Sequence, residues 1–267
     1  MLAVLLSDCF SGSSDVAETS TSVAITTTTV AFADLAFPYF EELAKYNRVA
    51  FENAAAASSG PAKEYAYYLK EYDAAKLFFT VDNNLGFGDN GQFTTRKDEK
   101  DRILIEGLAG QFLFSDFEFD SGKLNDFKIE GRKLSTNLMS KIYIGCVVSV
   151  SKCQSDESLD LEVLHAYITS VGDFIVTYSF RIGAKYSNSV REDRDKIGLA
   201  NHVLTDSLGN KIKVIASFET FSNGEIRTNA VLFSPLSGGG NYSVAFKFRV
   251  GGKLLEWDEI NLGSFEG

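Results

Sequence analysis

"KIKVIASFETFSNGEIRTNAVLFSP", Lys211 to Pro235, is the stretch that decides the fold. Apolar and β-branched residues alternate with polar ones on both sides of "SNGE", Ser222 to Glu225. A period of two sends successive side chains to opposite faces, and Asn-Gly supplies the backbone freedom of a tight reversal, so the stretch reads as two strands around a turn. The same texture runs outward in both directions. "KIYIGCVVSVS" from Lys141, "LEVLHAYITS" from Leu161, "DFIVTYSFRI" from Asp173, "HVLTD" from His202, "NYSVAFKFRV" from Asn241 and "LLEWDEINL" from Leu254 are short β patterns, punctuated by "SLGN", "SGGGN" and "VGGK". No helical stretches alternate with them, which excludes a parallel α/β sheet and predicts a β-sandwich of about seven strands over residues 140–267.

The N-terminal half has another rhythm. In "DLAFPYFEELAKYNRVAFENAAAA", from Asp34, the residues Leu35, Tyr39, Leu43, Tyr46 and Ala50 fall at helical spacings, with Pro38 expected in the first turn. "SSGP" interrupts the pattern, and Pro61 opens a second helical stretch in which Tyr65, Tyr68, Leu69 and Tyr72 share a face. The pair predicts a helical hairpin. After the charged run "TTRKDEKDR", the stretch from Ile103 to Gly131 reads as strands, with "DSGK" at Asp120 to Lys123 as a hairpin turn. Phe112 and Phe114 have one parity there and Phe117 and Phe119 the other, which predicts a bulge near Ser115 or burial on both faces. The expected fold class is therefore mainly β with an N-terminal α+β part over residues 34–139: a helical hairpin and short antiparallel sheet, followed by an immunoglobulin-like β-sandwich.

Composition narrows the function. The chain has 267 residues, 22 Phe, 11 Tyr, 2 His, 3 Cys and a net charge of −10. Excess negative charge argues against nucleic acid, whose phosphates need clustered Lys and Arg. Few His and Cys leave little material for zinc sites or nucleophile–base pairs. No cofactor is expected.

The first 33 residues read as an address. Leu6-Ser7-Asp8-Cys9 follows a short apolar run and resembles a bacterial lipobox, in which a Leu and two small residues precede the lipidated Cys; Asp8 departs from that pattern. This reading makes residues 1–9 the end of a leader that begins upstream, Cys9 the lipid anchor to a membrane, and residues 10–33, rich in Ser and Thr, a polar tether. It places the protein outside the cytoplasm, on the membrane at the cell surface or in the periplasm.

"HAYITSVGDFIVTYSF", "LTDSLGNKIKVI" and "SNGEIRTNAVLFSPLSGG" carry a further likeness. They resemble telokin-like, immunoglobulin-fold domains of secreted and lipid-anchored bacterial proteins, the mycobacterial immunoprotective extracellular protein among them, with Asp206, Gly209, Gly224, Glu225, Phe233 and Pro235 at the matching turn positions. The resemblance implies an actinobacterial-type lipoprotein that binds a protein or envelope polymer. It supplies no catalytic residues. A hydrolase that uses carboxylates in a cleft between the two units is the alternative.

Other candidates are weighed by chemistry. "GFGDNG", Gly86 to Gly91, matches a dinucleotide pattern in letters, but no apolar helix pattern follows it. "SVSK", Ser149 to Lys152, lies in a strand pattern where the S-x-x-K chemistry needs a helix. Asp116, Glu118 and Asp120 alternate along one strand and form a calcium candidate, set against a solvated strand face; Asp82, Asn84 and Asp89 form a second. His165, or His202 with Asp206, could serve a serine only in a geometry for which the sequence gives no motif. Cys146 and Cys153 could form a disulfide in an oxidising compartment, although on one strand they would lie ~23 Å apart. Cys146 also shares the parity of Ile142, Ile144, Val148 and Val150, which makes it a candidate buried thiol.

Overall fold

Small residues on one stripe let the first helices pack closely, and large aromatic rings fill what remains. In the computed structural model, α1 (Phe32–Ala44) buries Ala33, Ala36, Tyr39, Phe40, Leu43 and Ala44. The structure describes residues 31–73, 93–107, 110–146, 159–169, 172–182, 190–223, 226–234, 236, 238–250 and 252–266. Leu35, expected on the buried face, is 55% exposed, because the stripe is set by the alanines beside it. Pro38 lies inside α1 and not in its first turn. The helical pattern from Asp34 does not run through to Ala57 either. Tyr46 takes a positive φ of 44°, and Asn47 then caps α2 (Arg48–Ala57) by accepting the Ala50 N–H at 3.0 Å. Three helices therefore replace the expected pair, the third being α3 (Gly60–Asp73).

The charged run after the helices folds as β1 (Thr94–Lys97) and a turn into β2 (Ile103–Gly107). With β3 (Gly110–Asp120), β4 (Lys123–Ile129) and β5 (Arg132–Lys133) these strands form an antiparallel sheet in sequential order. The turn Asp120–Lys123 has positive φ at both central residues, 50° at Ser121 and 78° at Gly122, as a type I′ hairpin requires. The parity conflict in β3 is resolved by an irregularity between Ser115 and Glu118, where Asp116 adopts φ 53°. Phe112, Phe114 and Phe117 are all buried as a result. Phe40 of α1 packs on Phe114 and Phe117 of β3 and on Phe127 of β4, with ring centroids 4.6, 5.6 and 5.2 Å away.

One helical turn, α4 (Leu134–Asn137), leads into the second sheet. Its nine strands are β6 (Leu138–Cys146), β7 (Leu159–Ile168), β8 (Phe174–Ile182), β9 (Val190–Glu192), β10 (Val203–Thr205), β11 (Lys211–Asn223), β12 (Ile226–Phe233), β13 (Gly240–Val250) and β14 (Lys253–Phe265). They are antiparallel, in the order β14-β13-β10-β11-β12-β8-β7-β6, with β9 also on β13. The sheet curls into a sandwich-like half-barrel. β11 makes the corner: Lys211 to Lys213 pair with β10 and the residues from Val214 onward with β12, with a register shift between Val214 and Ala216 just past the switch. The hollow side holds Leu161, Val163, Phe174, Tyr178, Phe180, Leu204, Val231, Phe246, Phe248 and Trp257.

The outer side of β7, β8 and β12 is also buried. Tyr167, Ile175, Ala230 and Leu232 join the three helices and the small sheet in a second core. Residues on either side of position 140 thus share one core, and Ala31–Gly267 forms one compact unit. α3 lies in the middle, its Tyr65 ring 5.8 Å from Phe127 of β4 and 6.0 Å from Tyr167 of β7. The chain enters α3 through Gly60, at φ +48°, where a Cβ would come 2.1 Å from Asn125 Oδ1.

Phe40→Ala should cost about 3–5 kcal/mol of unfolding free energy, the usual range for emptying a large aromatic site. Chemical denaturation followed by circular dichroism measures it.

Candidate functional site

The chemistry-bearing side chains among the described residues gather in three places: inside the half-barrel, under α3, and in an open cleft beside the small sheet. The first is reached through β9. Glu192 pairs with Phe248 of β13 and so faces the hollow side, while Tyr178 of β8 pairs with Asn229 of β12 on that same side. Tyr178 Oη donates to Glu192 Oε1, and Asn229 Nδ2 donates to the same oxygen at 2.6 Å. Arg194 Nη2 donates to Oε2 at 2.6 Å. His202 closes the chain. Its Nδ1 accepts the Lys247 backbone N–H at 3.1 Å, which leaves Nε2 to donate to Tyr178 Oη at 2.9 Å.

Burial alone would raise the pKa of Glu192. The nearby His202 ring, whose Nε2 lies 3.6 Å from Oε1, and donation from Tyr178 and Asn229 outweigh it and hold the pKa at about 2. Burial and the adjacent Glu192 charge push the Tyr178 hydroxyl well above its ordinary range, so it remains a donor. Asn229 Oδ1 is buried without a partner. The three central groups, Glu192, Tyr178 and His202, are at most 6% exposed, and their donors and acceptors are spent on one another. Such an arrangement ties β8, β9, β10 and β12 together; it does not present a nucleophile.

His202 and Asp206, paired on paper by the sequence, have separate partners. Asp206 accepts the N–H groups of Leu208 at 2.9 Å and Asn210 at 2.8 Å and shapes the turn between β10 and β11. The other histidine, His165, lies under α3 with Glu71 Oε2 2.9 Å from Nδ1 and Glu64 Oε2 3.4 Å from Nε2.

The third place is a cleft of about 480 Å³, lined by Phe32, Lys100, Asp101, Arg102, Ser115, Asp116, Phe117 and Glu118. Its walls come from the start of α1, the β1–β2 turn and the irregularity in β3. Asp98 organises the turn by accepting the N–H groups of Lys100 at 2.9 Å and Arg102 at 3.1 Å. Asp101, at φ 57°, accepts the Ala33 N–H at 2.9 Å and caps α1 from the β1–β2 turn, far along the chain. Phe32 is 57% exposed at the rim, stacked on Phe119 with centroids 6.0 Å apart.

Two of the three calcium candidates line this cleft, but lysines hold them: Lys128 Nζ is 2.7 Å from Asp116 and Lys133 Nζ is 2.7 Å from Glu118. Asp120 stands apart at the hairpin turn, accepting from Ser121 Oγ at 3.2 Å. The sequence pointed to Asp116 and Glu118 but not to Lys100 to Arg102, which fall in the charged run. The available signal was Asp98, placed as Asp206 is placed in "DSLGN", four residues before the end of a five-residue turn.

Cys9 and Cys153 lie outside the described residues, as do Asp82, Asn84, Asp89 and the stretches Gly86–Gly91 and Ser149–Lys152. Cys146 ends β6, its backbone opposite Asp160, and its side chain is outside the description. Among the described residues, no group of three or more His, Cys, Asp or Glu could hold a metal ion, and no helix is long and apolar enough to cross a membrane.

No family model and no curated protein matches this chain. A crystal structure of a DUF4426 family protein from Pseudomonas aeruginosa PAO1 matches 43% of this chain and 96% of its own, at 15% identity and a TM-score of 0.30. A likeness of that size carries no argument about fold or function.

Glu192 is held below its ordinary value, so its stabilisation is complete above pH 4.5 and is lost as the pH falls from there towards 2. The full contribution is about 3.5 kcal/mol at roughly 1.4 kcal/mol per pH unit. Glu192→Gln should lower stability at pH 7 by up to that amount and flatten the acid limb, as urea denaturation at pH 7, 4 and 3 measures.

Proposed function

We propose that this chain is a lipid-anchored, extracytoplasmic binding or structural protein of a bacterial cell envelope, held to the membrane at Cys9. Its 10–33 spacer carries an immunoglobulin-like domain that meets a protein or an envelope polymer. The observation that carries the binding reading is the cleft. It is open and mixed in charge, with an exposed ring at its rim; of its three carboxylates, Asp116 and Glu118 are paired with lysines and Asp101 caps α1. Hydrolysis by a carboxylate pair needs one acid and one base whose environments separate their proton affinities. Asp116 and Glu118 are instead each engaged by a lysine of its own, an arrangement suited to orienting a polar ligand. The lipobox-like Leu6-Ser7-Asp8-Cys9 and the Ser/Thr-rich spacer support the address.

Two measurements test the reading. Intact mass of the protein extracted from membranes of a bacterium expressing the gene with its upstream sequence should correspond to a chain starting at Cys9 plus acyl groups; a soluble chain retaining Met1 would sink the anchor. Full-length protein should also co-sediment with isolated cell-wall polymer. The double variant Lys100→Glu, Asp116→Lys should weaken that association about tenfold while leaving the thermal midpoint within a few degrees. Soluble fragments released from the polymer by the wild type would identify the hydrolase instead, and equal sedimentation of wild type and variant would remove the cleft from the reading.

A further inference from the structure

His165 sits where α3 meets the outer face of the half-barrel. A regular strand would point it inward with Leu161 and Val163. A register shift between Val163 and His165 reverses the parity, so Ala166 and Ile168 face the hollow and His165 and Tyr167 face the helix. The ring is then placed between Glu64 and Glu71, two turns apart on one side of α3, at 3.4 Å and 2.9 Å.

A carboxylate only accepts, and a neutral imidazole carries one N–H and one lone pair. Both ring nitrogens face carboxylate oxygens. The two contacts are satisfied together only when both nitrogens bear protons, and loss of one proton sets a lone pair against a carboxylate in a site where His165 is 2% exposed. Thr177 Oγ1 of β8 lies 3.2 Å from the same Glu71 oxygen, and the Tyr68 ring of α3 stands edge-on to the imidazole at 6.0 Å. Glu162, on β7 and half-buried, shares the outer parity. The nearby cations of α3 are engaged elsewhere: Lys70 pairs with Glu52 at 2.7 Å, and Lys63 lies 5.9 Å from the Tyr67 ring. Among the described residues, His165 is therefore the group whose charge faces both carboxylates.

We infer that the Glu64–His165–Glu71 cluster is a proton-operated latch, fastening α3 to the half-barrel while the imidazole is doubly protonated and loosening it when the proton leaves. Burial opposes the imidazolium, but the two carboxylates outweigh it, so the proton is held above the ordinary histidine value of 6.5. The sign follows. The latch is fully closed below pH 6.5 and opens as the pH rises through the higher, folded-state value. α3 also touches β4, so the latch controls how firmly the helix-and-small-sheet side, which carries the cleft, is held to the half-barrel.

The test uses the full-length chain, whose two histidines give two ring signals that His165→Gln assigns. Nuclear magnetic resonance should place the His165 midpoint above 6.5, and Glu71→Gln should lower it. Amide exchange of α3, taken as a ratio to that of β13 in the same sample, should rise about tenfold across the midpoint in the wild type, the size of one lost charge-assisted hydrogen bond. The ratio should be high and flat with pH in His165→Gln. If that variant does not fold, Glu71→Gln and Thr177→Val supply the comparison, the first flattening the ratio and the second keeping its rise. A midpoint at or below 6.5, a midpoint unmoved by Glu71→Gln, or an exchange ratio constant across the midpoint overturns the latch.

Discussion

Helix α3 is covered on two sides, and the rest of the molecule is arranged around that constraint. A helix against a single sheet needs one apolar stripe; α3 meets β4 on one side and β7 and β8 on the other, so its buried residues, Ala62, Tyr65, Ala66, Tyr68 and Leu69, cover more than one stripe. Tyrosine suits such a position because its ring is large enough to span the gap between the two sheets. The same constraint sets the N-terminal helices against the half-barrel. A sandwich whose outer face carries Tyr167, Ile175, Ala230 and Leu232 must cover that face with something, and the N-terminal helices are what cover it.

Much of the fold was legible because alternation survives in the sequence. The turn at Asp120–Lys123, the hairpin around Asn223 and the strands from Leu138 onward are each announced by local chemistry, and the Phe parity conflict announced the irregularity near Ser115. What was not legible is a matter of distance along the chain. Nothing local says that Tyr46 leaves the helix, since the break depends on Asn47 winning as a cap. Nothing local says that "TTRK" is a strand, since its partner Ile103–Gly107 supplies the apolar side. The bulge that turns His165 outward also hides inside "LEVLHAYITS", where strict alternation looks satisfactory and assigns the histidine to the wrong face.

The site was legible to the same extent. Asp116 and Glu118 could be named as strand carboxylates, but their lysines come from β4 and β5, across a register that the irregularity itself resets. Asp101 could not be connected with α1, because a cap supplied from 68 residues away leaves no mark at either end. Glu192 was invisible for a related reason: an acid inside an aromatic core is readable only once Tyr178, Asn229 and His202 are seen to converge on it.

The two buried networks oppose one another in pH, and that opposition sets where the molecule is firmest. Glu192, with its carboxyl held down to about 2, contributes in full only above pH 4.5. His165, with its proton held above 6.5, contributes in full only below pH 6.5. Both are complete only between those values, so the half-barrel interior and the seam beneath α3 are strongest together in mildly acidic surroundings. They fail differently outside that window. Acid attacks the interior, where β8, β9, β10 and β12 meet, and so threatens the half-barrel itself. Alkali attacks only the seam, leaving the aromatic core on the hollow side intact. A single chain thus carries one polar cluster whose loss is global and one whose loss is local, and the difference follows from where each is buried: among the strands in the first case, between layers in the second.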